Sequence, residues 1–183
     1  MPNWCWNNLT VTGDEKELQE FVEKSMNARK ETEFSFEGTL PRGDRKDWYD
    51  WSLGNWGTKW DACEPNIENN NKEYFAVTFD SAWSPPISWL ENIVHMFPKL
   101  YFTLQYEETG MCFAGILEIQ HNKVRDNQSW QIESASECCH AEIDWDNPTY
   151  DYYCTICGCE TETVSVRADE IKKNPNYKPN YEQ

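Results

Sequence analysis

The chain has 183 residues, enough for one hydrophobic core and a small additional element. Sixteen Lys and Arg stand against thirty-two Asp and Glu, a net charge of −16, which argues against a general binder of phosphate backbones because such a protein needs a basic surface. No apolar run is long enough to span a membrane, and Met1-Pro2-Asn3-Trp4-Cys5 lacks the basic start of a secretory signal. A cytosolic setting is therefore expected, and there eight cysteines serve more readily as thiols or metal ligands than as disulfides.

Asn8 to Thr12 alternates polar and apolar residues up to Gly13 and predicts a strand. Asp14 can cap the helix that follows, whose Leu18, Phe21, Val22 and Met26 share one face as far as about Asn27. Phe34-Ser35-Phe36 predicts a short second strand. Residues 41 to 72 form a long Trp-rich insertion with an exposed turn at Asn69-Asn70-Asn71. Tyr74 to Asp80 predicts a third strand with Phe75, Val77 and Phe79 on one face. Ser84-Pro85-Pro86 opens a second helix with Ser84 as its cap; Ile87, Leu90, Ile93, Val94 and Phe97 form its apolar stripe and Pro98 ends it. Leu100 to Tyr106 and Phe113 to Ile119, joined by a turn at Glu108-Thr109-Gly110, predict the fourth and fifth strands.

The order βαβ, insertion, βαββ predicts an α+β fold, a ferredoxin-like antiparallel sheet with two helices on one face, over residues 1–122. From Trp130 the pattern changes. Short β-like pieces (129–135, 141–145 and 161–166) surround the cysteines and predict a small acidic, zinc-ribbon-like element over 123–170. Residues 171–183 carry no apolar periodicity and are expected to form a disordered tail.

Two clusters, Cys138-Cys139-His140 and Cys154-Thr155-Ile156-Cys157-Gly158-Cys159, suggest a metal site. On a strand, Cys138 and His140 point to one side and Cys139 to the other. With Cys154 and Cys157 they make a closed Cys₃His set suited to a structural Zn²⁺; Cys139 or Cys159 in place of one member stays open, as does a loose segment of reduced thiols. The element has too little aliphatic sequence for a core of its own, so metal loss is expected to unfold it. Cys5, Cys63 and Cys112 read as small buried hydrophobes.

Asn55-Trp56-Gly57-Thr58-Lys59-Trp60-Asp61 offers another candidate site. Trp56 and Trp60 can wall a pocket, Asn55, Thr58, Lys59 and Asp61 can aim polar groups into it, and Trp83 can complete it. The plainer reading packs the tryptophans over the sheet and pairs Lys59 with Asp61 at the surface. Residues 126 to 170 hold eleven acids and one base, Arg167; Glu142, Asp144, Asp146 and Asp151 are the candidate partner-binding residues. There is no Gly-rich phosphate loop, no G-x-S-x-G and no H-E-x-x-H. His95 reads as structural and His121 as exposed. Carboxylates such as Asp80 and Glu107 can meet on neighbouring strands, although with so many acids some meetings arise by chance.

Three motifs occur in order: Met1-Pro2-Asn3-Trp4-Cys5 with Asn8-x-Thr10-Val11-x-Gly13; Asn55 to Ala62; and Ala82-Trp83-Ser84-Pro85-Pro86 with Phe97-Pro98. With Tyr106-Glu107-Glu108 and Phe113-Ala114-Gly115, they resemble the YubB-type family of phage and plasmid proteins, which has a ferredoxin-like domain and no settled biochemical function. The resemblance covers residues 1 to about 120 and leaves the cysteine cluster and acidic segment outside. It implies the fold and a mobile-element origin and transfers no catalytic residues.

The leading expectation is a non-catalytic phage or mobile-element protein that binds a host protein with a basic surface, an anti-defence role included. The alternative is a protein that sequesters or processes a small aromatic or nucleotide-like ligand in the Trp-rich pocket. A single-strand nucleic-acid binder is a weaker reading, because it requires a positive groove.

Overall fold

Alternation decides the first strand. Along β1 (Trp4–Gly13) every second residue is buried: Cys5, Asn7, Leu9 and Val11 point into a core while Trp4 and Trp6 face outward. The strand starts four residues before the alternation read from sequence, because its exposed positions there are tryptophans. In a computed structural model, residues 2–26, 34–136, 138–144, 152–157, 159–173 and 175 are described. The chain forms two units, Met1–Ser129 and Trp130–Gln183. The boundary falls where the sequence pattern changes at Trp130, later than the expected limit at residue 122.

In the first unit Asp14 caps α1 (Glu15–Met26) through its carboxylate, which accepts the Glu17 N–H at 3.1 Å. The expected strand at Phe34–Phe36 is not formed. All three residues are buried, and Phe36–Gly38 make a 3₁₀ turn. With every side chain sought by the core, the segment serves as an inward aromatic plug and cannot alternate across a sheet. The Trp-rich insertion contains the true second strand. It folds as α2 (Trp48–Asn55), a bend, and β2 (Cys63–Asn70). Asn71 closes the next turn, its side-chain oxygen accepting the N–H groups of Glu73 and Tyr74 at 2.7 and 2.9 Å.

β3 (Tyr74–Ala82) buries Phe75, Val77 and Phe79 as expected. α3 is shorter than its apolar stripe, Ile87–Ile93 with a 3₁₀ turn over Val94–Met96. Ser84 does not cap it. Its hydroxyl donates to the Gly57 carbonyl at 2.6 Å, and Pro86 takes the cap position. His95 is exposed rather than structural. β4 (Leu100–Glu108) and β5 (Phe113–Gln120) complete the set.

The strands lie in the order β2-β3-β1-β4-β5, with β1 antiparallel to both β3 and β4. The first four give the ferredoxin-like arrangement, and the fifth extends it. Leu18 and Phe21 of α1 and Trp89, Leu90 and Ile93 of α3 cluster with Leu9, Val11, Phe75, Val77, Phe102 and Leu104. The helices therefore cover one face, and Trp4 and Trp6 lie on the opposite one. Phe34, Phe36, Trp56 and Trp89 pack within the core with contacting ring centroids 4.7 to 6.0 Å apart.

The long strand β6 (Lys123–Ser136) carries the chain from the first unit into the second. There Ile132–Ser136 pairs with β9 (Thr163–Arg167), and β7 (Ile143–Asp144) pairs with β8 (Tyr153–Cys154). The end of the described chain is tied in as well. Lys172 N–H donates to His140 O at 2.9 Å, and Glu142 N–H to Lys172 O at 3.0 Å. Order thus extends past residue 170, and most of the expected tail lies outside the described residues. No described helix is long and apolar enough to cross a membrane.

Candidate functional site

Two turns build the cysteine site. Ser136 closes the first: its carbonyl accepts the His140 N–H at 2.8 Å, its N–H reaches Ala141 O at 2.9 Å, and its hydroxyl accepts the Ala141 N–H at 3.0 Å. That loop holds Cys138 and Cys139. The second turn follows β8, where Cys154 N–H donates to Cys159 O at 3.0 Å. The Sγ atoms of Cys138, Cys139, Cys154 and Cys157 all lie within 4.8 Å of one another, and those of Cys138 and Cys157 are 3.5 Å apart.

Four thiolates around one tetrahedral ion, with bonds of about 2.3 Å, sit about 3.8 Å from each other, so this set can hold a metal ion. The membership differs from the expected one. Cys139 joins and His140 does not, because the segment is a tight turn and not an extended strand; His140 has φ +50°. Strand alternation therefore does not apply there. Cys159 stays outside the group, its thiol 3.9 Å from the Cys157 carbonyl.

The backbone prepares the second turn for an anionic sulfur. Burial raises the Cys154 thiol, but the Ser136 hydroxyl and the N–H groups of Cys157 and Ile156 outweigh it and bring it down to about 6. Cys139 is pushed up to about 12, first by its hydrogen bond to Cys154, so it keeps its proton beside that thiolate. A cation at the centre would favour the anionic form of all four.

The tryptophan motif is divided by the fold. Trp56 is fully buried, its indole N–H donating to Leu40 O at 3.0 Å, and Thr58 is buried with its hydroxyl on Ala82 O at 2.9 Å. Asp61 is buried too. Its carboxylate accepts the Ser35 hydroxyl at 2.6 Å and the N–H groups of Phe36 and Ala62 at 2.7 and 2.8 Å. The expected Lys59–Asp61 surface pair is thus replaced: Asp61 ties the aromatic plug to the start of β2. Asn55 donates to Trp51 O at 2.9 Å. Lys59 instead lies 4.7 Å over the Trp60 ring, Trp60 lies 5.9 Å from Trp4, and Trp83 is exposed.

Asp80 and Glu107 do not occupy neighbouring strands. Both register with Trp6, one from each side, since β1 runs between β3 and β4. Among the candidate acids, Glu142 is half-buried with Lys173 at 3.3 Å. Asp144 lies on β7, and Asp146 and Asp151 fall outside the described residues. Of the three cysteines expected as small hydrophobes, Cys5 is buried, Cys63 half-buried and Cys112 exposed in a turn at φ +58°. Trp4 and Trp6, outside the candidate sites read from sequence, stand exposed on β1.

These features define a ferredoxin-like protein with a cysteine cluster in its second unit. The family model for the ferredoxin-like domain in Api92-like protein matches residues 56–153, more than half of the chain, which therefore belongs to that family. The match includes Cys138 and Cys139 and ends one residue before Cys154, so half of the cluster lies inside it. The crystal structure of a protein api92 from Yersinia pseudotuberculosis is similar with a TM-score of 0.51 at 8% identity, over 71% of this chain and 98% of that one. At that identity the likeness concerns the fold. No curated protein matches the chain.

Proposed function

We propose that this is a non-catalytic protein of a phage or other mobile element, of the YubB type, which binds a basic protein of its host and so inhibits a defence system. The observation that carries the reading is the excess of acid, −16 over the chain with eleven acids and one base between residues 126 and 170. Charge of one sign steers association with the opposite sign and disfavours nucleic acid. Glu142, Asp144, Asp146 and Asp151 are the proposed contacts of the second unit, and the host cytosol is the setting.

A Zn²⁺ ion held by Cys138, Cys139, Cys154 and Cys157 shapes that unit as a zinc-ribbon-like element. The all-sulfur donor set and the N–H groups aimed at Cys154 support zinc over harder ions. The ion is structural, since four protein ligands leave no open position. Purified protein should contain one zinc per chain, and chelation should abolish the near-ultraviolet dichroism of its second unit; metal-free protein with an unchanged spectrum would end the zinc assignment.

The partner test is capture from host lysate, identification, and reconstitution with the purified partner. Affinity should fall steeply with salt and drop when Glu142, Asp144, Asp146 and Asp151 become amides. A partner bound equally well at high salt, or no reconstituted complex, would overturn the reading.

A further inference from the structure

The open face of the first unit's sheet carries a row of three side chains on three adjacent strands: Asp80 on β3, Trp6 on β1 and Glu107 on β4. Directly paired residues share a face, and strand spacing of about 4.8 Å puts one carboxylate-bearing strand on each side of the indole. Trp6 is 45% exposed. Neither Asp80 nor Glu107 has a lysine, arginine or histidine within ion-pair distance among the described residues. Burial and the nearby Glu64 raise the Asp80 carboxyl above its usual range, so its charge lacks compensation.

Trp4 lies beside this row, on the same face of β1 as Trp6. Trp4 is 41% exposed and Trp83 48%, and Trp4 continues into Trp60. Trp83 holds φ +73°, a costly conformation for a bulky residue, fixed by its N–H to Asn3 O at 2.9 Å. The protein's own Lys59 stacked on Trp60 shows what such an indole accepts.

We propose that Asp80, Trp6 and Glu107 form a seat for an arginine side chain of a basic partner protein, with Trp4, on the same face of β1, as its apolar rim. A planar guanidinium can lie on the indole and direct N–H groups to carboxylates on either side; an ammonium offers no flat face. Charge complementarity selects this occupant. A second copy of a chain with net charge −16 would be repelled, and an anionic ligand would meet two carboxylates.

The inference rests on the basic-partner reading and adds a contact in the first unit. It is tested on the zinc-loaded full chain with an arginine–glycine peptide, its lysine counterpart and a neutral peptide, by tryptophan quenching and calorimetry. The arginine peptide should bind best. Trp6→Leu and the pair Asp80→Asn/Glu107→Gln should each weaken it about tenfold, as expected for losing a stacked or charge-assisted contact. Glu20→Gln/Glu23→Gln, on the solvent side of α1, should change it less than about twofold, as a screened distant charge would. Trp6→Phe keeps an aromatic face and should retain most of the affinity, separating a lost seat from a misfolded strand.

Equal losses in the α1 control, equal affinity for the lysine peptide, or sedimentation showing a dimer dissolved by Trp6→Leu would each overturn the seat. If the arginine peptide binds as described but no host protein is reconstituted, the seat stands and the host-partner reading falls. If a host protein binds and the Trp6, Asp80 and Glu107 variants leave it untouched, the reverse holds.

Discussion

Asp61→Ala is expected to destabilise the protein by about 3–4 kcal/mol. The magnitude follows from three donors that converge on one carboxylate: the Ser35 hydroxyl at 2.6 Å and the N–H groups of Phe36 and Ala62 at 2.7 and 2.8 Å. Ser35, Phe36 and Ala62 are 1%, 0% and 6% exposed, so water cannot replace the lost acceptor. Each orphaned buried donor costs about 1–3 kcal/mol. Two fixed backbone N–H groups at about 1.5 kcal/mol each, with less for a hydroxyl that can turn elsewhere, give the total. For a chain of this size that lowers Tm by about 10 °C. Urea unfolding of the full chain, followed by tryptophan fluorescence, measures it. Asp61→Asn should fall between, since one oxygen remains. A loss under about 1 kcal/mol would refute the argument and return Asp61 to the candidate ligand contacts, because charged binding residues are commonly dispensable for stability.

Gly13→Ala should cost about 2–4 kcal/mol, because Gly13 has φ +136° and a Cβ there would strike the Lys99 carbonyl oxygen and reach within 3.0 Å of Leu100 Cα; a Cm shift smaller than that of an exposed helix substitution would contradict the clash. Burial pushes the Cys5 thiol from its ordinary value near 9 up to about 12, partly offset by a hydrogen bond to Ser81. Native protein at pH 8 should therefore leave Cys5 unalkylated while exposed Cys112 reacts, and mass mapping that finds Cys5 labelled first would refute its burial. The neutral thiol is favoured in the fold, so its contribution is fully present below pH 9 and is lost between about pH 9 and 12, at up to about 1.4 kcal/mol per pH unit. Cys5→Ala should flatten that decline in stability measured by urea unfolding; an unchanged slope would show that Cys5 does not ionise with unfolding.

Legibility tracked how local each signal is. β3, β4, β5 and α1 were read with nearly their final bounds, since two- and 3.6-residue periods survive in one stretch of chain. β2 was missed. Cys-Glu-Pro-Asn-Ile-Glu-Asn-Asn has one strong apolar residue, and its pairing with β3 is interrupted by register shifts. Phe34–Phe36 looked like a strand because the same residues suit a strand and a buried plug; only the partner Asp61, 25 residues or more away, distinguishes them.

The candidate sites divide in the same way. That cysteines 138 to 157 would form a group was readable from their spacing, whereas the exchange of His140 for Cys139 required the turn closed by Ser136. The proposed class of partner rests on composition and charge, since net charge does not depend on folding. Residue order also determined β1, α1, β3, β4 and β5, whereas the second strand of the ferredoxin-like sheet lies at Cys63–Asn70 and not at Phe34–Phe36. Only the tertiary structure decided that Trp56, Thr58 and Asp61 are interior while Trp6 stands in solvent between Asp80 and Glu107. Asp80 and Glu107 are 74 and 101 positions from Trp6 along the chain, and antiparallel pairing alone sets them beside it.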